Sequence, residues 1–171
     1  REDGILRELD EEYYRRIESV EFAIRFDDGK DPKGLALADI ILVGVSRTSK
    51  TPTCMFLAQN YAKKVSNNPL LFGHAPPPEL FEHKEKAIGL IVRPEVLLEI
   101  RQARVKSLGL PDNAIYAQIE QIQKELDFAT EIMKELGCPV VDVSHKAIEE
   151  TASEIIHLRY PKPITNKLKS V

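Results

Sequence analysis

The stretch Ile40-Ile41-Leu42-Val43-Gly44-Val45-Ser46-Arg47-Thr48-Ser49-Lys50-Thr51-Pro52 constrains this chain more than any other. Ile40 to Val43 is a continuous apolar run rich in β-branched residues, the pattern of a strand covered on both faces. Gly44 to Thr51 follows with the spacing G-x-x-x-x-S-K-T. A phosphate-binding loop has G-x-x-x-x-G-K-[ST], so Ser49 stands at the second glycine. In such a turn, backbone N–H groups from Gly44, Val45, Ser46, Arg47, Thr48 and Ser49 would converge on an anion, helped by the positive end of the next helix. Lys50 would reach the terminal phosphates and the Thr51 hydroxyl would ligate Mg²⁺. Pro52 suits the first turn of that helix, where a missing N–H costs nothing. The competing reading is a Ser/Thr-rich turn into a helix with a fortuitous Lys-Thr pair.

The rest of the chain alternates strand and helix patterns, which predicts a mainly parallel sheet flanked by helices, an α/β fold. Leu9 to Ser19 reads as a charged helix capped by Asp10. Val20, Phe22, Ile24 and Phe26 then alternate with more polar residues, a strand pattern ending in Asp27-Asp28-Gly29. That ending is either a plain turn or a pair of carboxylates at a strand's carboxyl end, where open α/β sheets place their sites. Lys30 to Leu37 reads as a loop, Thr51 to Lys63 as a helix and Lys64 to Asn68 as a short strand. Pro69 to Leu80, with four prolines, reads as an irregular crossover and carries no assigned role. Ala87 to Val92 predicts a strand, and Pro94 opens a helix that Gly109 stops, with Leu97, Ile100 and Leu108 on its buried side. Arg101 and Arg104 share a face of it, either as a phosphate clamp or as surface charge. Ile115, Ile119, Ile122, Leu126, Ala129, Met133 and Leu136 predict a long amphipathic helix closed by Gly137. Pro139 to Val143 is a strand pattern containing Asp142, which is either a Mg²⁺-orienting carboxylate or a cap. The last helix runs from Lys146 to Leu158 with Ile148, Ala152 and Ile155 as its stripe. Lys146 in its first turn opposes the helix dipole unless an anion binds there. Residues 159–171 read as an extended tail after a domain spanning 1–158.

Composition narrows the function classes. A net charge of −3 gives no basic footprint for nucleic acid. No apolar run approaches the ~18 residues of a membrane span. Two cysteines, Cys54 and Cys138, make no disulfide framework and read as buried thiols. Four scattered histidines lack metal-ligand spacing.

Gly-Val-Ser-Arg-Thr-Ser-Lys-Thr-Pro resembles the signature of the pyruvate, phosphate dikinase and phosphoenolpyruvate synthase regulatory proteins. So do Glu21-Phe22-Ala23 with Asp27-Asp28-Gly29, Glu99-Ile100-Arg101 with Arg104 and Ser107-Leu108-Gly109-Leu110, Pro139-Val140-Val141-Asp142-Val143, and Lys146-Ala147-Ile148-Glu149-Glu150-Thr151-Ala152. The resemblance runs from about residue 5 to about residue 158. It implies a P-loop kinase-like fold and a bifunctional serine/threonine kinase and phosphorylase. Such an enzyme phosphorylates a partner threonine with ADP and removes that phosphate with inorganic phosphate, giving pyrophosphate. On this resemblance Lys50, Arg101, Arg104, Asp27, Asp28 and Lys146 become catalytic candidates, and Thr51 with Asp142 a Mg²⁺ site. The partner would be pyruvate, phosphate dikinase or phosphoenolpyruvate synthase. The resemblance also implies a homodimer, a soluble intracellular setting (bacterial cytoplasm or chloroplast stroma), and a further N-terminal region that this chain lacks. Without that region the alternative is a nucleotide-sensing or docking module with no chemistry of its own. An ordinary small-molecule kinase is a third reading.

Overall fold

The computed structural model describes residues 2–29 and 31–161, the side chains of residues 2–7, 9 and 28 excepted. Four strands, β1 (Ile40–Gly44), β2 (Val65–Pro69), β3 (Ala87–Ile91) and β4 (Val140–Asp142), form one all-parallel sheet in the order β2-β1-β3-β4. The helices are α1 (Glu2–Arg25), α2 (Lys33–Leu37), α3 (Lys50–Tyr61), α4 (Pro78–Glu82), α5 (Pro94–Ser107), α6 (Ile119–Leu136) and α7 (Ile148–Arg159). The predicted α/β architecture is the one observed.

β1 and β3 are the two central strands and both are apolar on both faces; in β1, Ile40, Ile41, Leu42 and Val43 are fully buried. Ile41 and Val43 join a core with Leu97 of α5 and Ile122, Ala129 and Met133 of α6. Ile40 and Leu42 join a second core with Cys54, Leu57 and Ala58 of α3 and Ala152 and Ile155 of α7. Each such side chain contributes about 1.5–3 kcal/mol of transfer free energy. The chain leaves β1 toward β2 on one side and returns to β3 on the other, so the sheet's topological switch lies at the carboxyl end of β1, where ligands bind in open α/β sheets.

Several local expectations are corrected. The pattern read as a strand over Val20–Phe26 is the last part of α1 and the turn after it. Ser19, Phe22, Ala23 and Phe26 are buried at helical spacing, whereas Ile24, which a strand would bury, is 60% exposed. Asp10 is therefore mid-helix, and Asp27 to Gly29 form a 3₁₀ turn after a helix, not after a strand. The loop expected over Lys30 to Leu37 contains α2. Ile115 precedes α6 in a separate 3₁₀ turn and is 67% exposed. Ile100 and Leu108 are also exposed; α5 buries Val96, Leu97, Arg101 and Val105 instead. α7 begins at Ile148, so Lys146 lies before the helix and not in its first turn. Arg159 belongs to α7 and its Nε donates to the Asp39 carbonyl; the tail beyond 161 lies outside the described residues. Cys54 is buried and Cys138 only partly so.

Candidate phosphate-binding site

The turn between β1 and α3 is fixed from several directions. A Cβ on Gly44 would stand 2.8 Å from the Leu90 carbonyl oxygen and 3.1 Å from Thr48 Oγ1, so only glycine lets the loop leave β1 this close to β3. The Gly44 carbonyl accepts from Leu70 N at 2.9 Å, beyond β2. Thr48 Oγ1 donates to the Val45 carbonyl at 2.8 Å and Lys50 Nζ donates to the same oxygen at 2.7 Å. Arg47 and Ser49 have left-handed backbones, with φ of +69° and +61°. Ser49 thus adopts the conformation for which the motif's second glycine is suited, and it caps α3 without a side-chain hydrogen bond. Its carbonyl accepts from Thr53 N at 3.1 Å and Thr53 Oγ1 at 2.6 Å.

An open cleft of about 700 Å³ lies against this loop, within the range of small-molecule sites. Ser46, Arg47, Ser49, Lys50 and Thr51 form its polar floor. Lys50 is only 5% exposed, so its ammonium is held within the loop at the cleft's edge. Ile100, Val105, Leu108, Leu110 and Tyr116 form an apolar wall opposite. Ile100, Leu108 and Leu110 are otherwise exposed apolar residues, and the cleft is what they face.

At the polar end, Thr51 Oγ1 donates to Asp27 Oδ1 at 3.0 Å. Asn67 Nδ2 donates to Asp27 Oδ1 at 2.7 Å and to Thr51 Oγ1 at 3.0 Å. Asp27 reaches this point from the end of α1, Asn67 from the edge strand β2, and Thr51 from the first turn of α3. Sequence reasoning selected Asp27 and Thr51 but passed over Asn67, whose buried place in β2 leaves no motif to recognise. The side chain of Asp28 lies outside the described residues.

The two arginines do not act as a pair. Arg104 lines the cleft. Arg101 is fully buried, with NH1 2.9 Å from Glu125 Oε2 and NH2 3.1 Å from Oε1. Its guanidinium also donates to the Tyr116 carbonyl (3.1 Å) and the Ser46 carbonyl (3.3 Å), and stacks 4.5 Å over the Tyr116 ring. Removing one partner of such a buried pair costs about 3–5 kcal/mol. Neither Glu125 nor Tyr116 was foreseen; both come from the segment read as one long helix.

Two other candidates lie apart from the cleft. Asp142 ends β4, with β3 between it and β1, so it is not brought to Thr51. Its Oδ1 accepts from Ser144 N at 2.9 Å, a local turn bond, and it does not cap α7, whose N-cap is Ala147 with no side-chain hydrogen bond. Partial desolvation would raise the Asp142 carboxyl, but the Ser144 hydrogen bonds and the charges of Lys146 and Arg93 outweigh it and hold it below its ordinary value. Lys146 Nζ lies 2.6 Å from Glu154 Oε1, so its charge is matched without any anion.

The cleft therefore brings together the β1–α3 loop with Lys50, the neighbouring Asp27 and Thr51 oxygens, and apolar side chains of α5 and the segment after it. Among the described residues no three His, Cys, Asp or Glu side chains cluster as a metal cage. A cation here would rest on Asp27, the Thr51 hydroxyl and ligand oxygens, which suits Mg²⁺, since that ion takes one or two carboxylates plus phosphate oxygens and water. No helix of the described residues is long and apolar enough to cross a membrane.

Comparison with known proteins agrees with this geometry. A family model described as kinase/pyrophosphorylase matches residues 1–156. A Syntrophomonas wolfei protein provisionally named pyruvate, phosphate dikinase regulatory protein 2 is 56% identical over 161 residues, covering 94% of this chain and 59% of the relative. Proteins with the corresponding provisional name, pyruvate, phosphate dikinase regulatory protein, from Alkaliphilus metalliredigens and Clostridioides difficile are 54% and 56% identical over 159 residues. Each match covers 92% of this chain, and 57% and 56% of those relatives. The chain thus spans about three fifths of the length of the curated relatives it matches.

Proposed function

The chain belongs to the kinase/pyrophosphorylase family, and on that premise we propose that residues 1–158 form the phosphotransferase unit of a regulator of pyruvate, phosphate dikinase. The unit uses ADP to phosphorylate a threonine of the dikinase and uses inorganic phosphate to remove that group as pyrophosphate. The observation that carries this reading is the cleft itself: a phosphate loop with Lys50 on one side, the Asp27–Thr51–Asn67 cluster at one end and an apolar wall opposite.

In the forward reaction the loop amides and Lys50 hold the β-phosphate of ADP, and the base and ribose lie along Ile100, Leu108 and Tyr116. Thr51 and Asp27 hold Mg²⁺, which when bound supplies charge neutralisation on the phosphate oxygens. The threonine oxygen bonds to the β-phosphorus, the bond from that phosphorus to the bridging oxygen breaks, AMP leaves and the threonine proton is released. Arg104 faces the cleft and neutralises charge on the group in flight, the main contribution a protein makes to phosphoryl transfer. In the reverse direction inorganic phosphate occupies the place of the β-phosphate and attacks the phosphothreonine. One anion cradle thus accounts for both activities, and phosphate should compete with ADP. The relatives compared above are bacterial, which favours the bacterial cytoplasm over a chloroplast.

The test is transfer of label from [β-³²P]ADP to the dikinase in Mg²⁺, with wild-type protein and Lys50→Met. Transfer that Lys50→Met abolishes, with its melting temperature kept, is the expected result. A fully active Lys50→Met protein, or a wild type that uses ATP and ignores the dikinase, would overturn the reading.

A further inference from the structure

Resting on that reading, we infer that Arg101 is a positioning residue that aims a phosphate-binding amide without touching the phosphate. The Ser46 carbonyl is held from behind by Arg101 NH2 at 3.3 Å, and the Ser46 hydroxyl lies 3.4 Å from the same nitrogen. All described peptide bonds are trans. In a trans peptide the C=O and the following N–H point in opposite directions. Fixing the Ser46 carbonyl toward the buried guanidinium therefore turns the Arg47 N–H away from that guanidinium, within a loop whose residues Ser46, Arg47 and Ser49 line the cleft.

That peptide orientation is strained. Arg47 carries φ of +69°, a conformation that a residue with a side chain adopts only when its surroundings impose it. Arg101 is well placed to impose it. It is fully buried, gripped bidentately by Glu125 of α6, and tied to the Tyr116 carbonyl of the cleft wall. A planar fork with five donors can serve all three partners at once; an ammonium cannot. Arg101 and Glu125 thus connect α5 and α6 to the loop, and one guanidinium registers the apolar wall against the phosphate floor.

The test is a double-mutant cycle in the protein with the family's full length, read by calorimetric binding of ADP and of inorganic phosphate. Arg101→Met should weaken both by about 10- to 100-fold, the worth of one hydrogen bond to a charged group. In an Arg47→Gly background, where φ of +69° is unstrained, the same substitution should cost less than threefold. Equal losses in the two backgrounds would overturn the inference and reduce Arg101 to a packing residue. Should Arg101→Met fail to fold, Arg101→Lys keeps a cation opposite Glu125 and should show the same loss and the same rescue. A wild type that binds neither ligand overturns the functional reading alone. The positioning role is then judged by amide hydrogen exchange, which Arg101→Lys should accelerate at least tenfold over residues 45–50 while β1 keeps its protection. Unchanged exchange there would overturn it.

Discussion

Replacing Ser49 by glycine should stabilise the protein, although it removes a side chain from the loop proposed to bind phosphate. Ser49 has φ of +61° and its hydroxyl makes no capping hydrogen bond to α3. A residue with a Cβ spends about 1–2 kcal/mol in the left-handed region. Glycine removes that strain but gains freedom in the unfolded chain, which returns about 0.4–1 kcal/mol of the benefit. The net expectation is about 0.5–1 kcal/mol of added stability, or roughly 1–4 °C in melting temperature for a domain of this size. Ser49→Ala keeps the strain and deletes the same hydroxyl, so it should leave stability within about 0.5 kcal/mol of wild type. Differential scanning calorimetry of the three proteins at equal concentration and pH separates backbone strain from side-chain loss. The Ser49 carbonyl, which receives both bonds from Thr53, is present in all three. A drop in melting temperature for Ser49→Gly, or an equal gain for Ser49→Ala, would refute the assignment of strain to this position.

Gly44→Ala should do the opposite, losing about 1–3 kcal/mol because its Cβ meets a β3 carbonyl that cannot retreat; an unchanged urea midpoint would contradict this. Asn67→Ala should weaken ADP binding about tenfold in Mg²⁺, the worth of one lost hydrogen bond to the Asp27 carboxylate, and change it little in EDTA. Isothermal titration in the two buffers decides, and an equal loss in both would remove Asn67 from the cation end. Stability should fall on the alkaline side. Burial raises the Cys138 thiol, outweighing backbone hydrogen bonds, and burial together with the Asp39 charge raises the Tyr160 phenol. Both groups ionise earlier in the unfolded chain, so their contribution is whole below about pH 8.5 and is lost as pH climbs through the raised values. Chemical denaturation from pH 8 to 11 should show the decline, with its first part flattened in Cys138→Ala.

How much of this was legible in the sequence depended on whether a signal was local. The loop was legible because its chemistry and its context, an apolar strand before and Pro52 after, sit within thirteen consecutive residues. Asp27 was found by a mistaken route: Val20, Phe22, Ile24 and Phe26 alternate well enough to suggest a strand. The helical set includes Ser19 and Ala23, which are too small or polar to count in a hydrophobic pattern but pack well where α1 meets the body of the domain. Arg101 was selected as a phosphate ligand because charge on a helix face is visible in sequence. Its burial was not visible, since Glu125 lies 24 residues away on another helix. The same holds for Asn67, whose partners at positions 27 and 51 are 40 and 16 residues distant.

The way β1 is flanked has a consequence in time. Its pairing partners are Val65 to Pro69, reached across α3, and Ala87 to Gly89, reached only after β2 and α4, so neither pairing closes through a short turn. The loop after it rests on both sides at once, on the Leu90 carbonyl beyond Gly44 and on Leu70 N at the Gly44 carbonyl. Distant pairings of this kind form slowly, because chain closure must come before any contact rewards it. A refolding chain should therefore complete the loop from Gly44 to Thr51 only after both flanking strands have docked, and after α3 has taken helical form. Recovery of nucleotide binding should track the slowest sheet-forming phase and not the early rise in helicity.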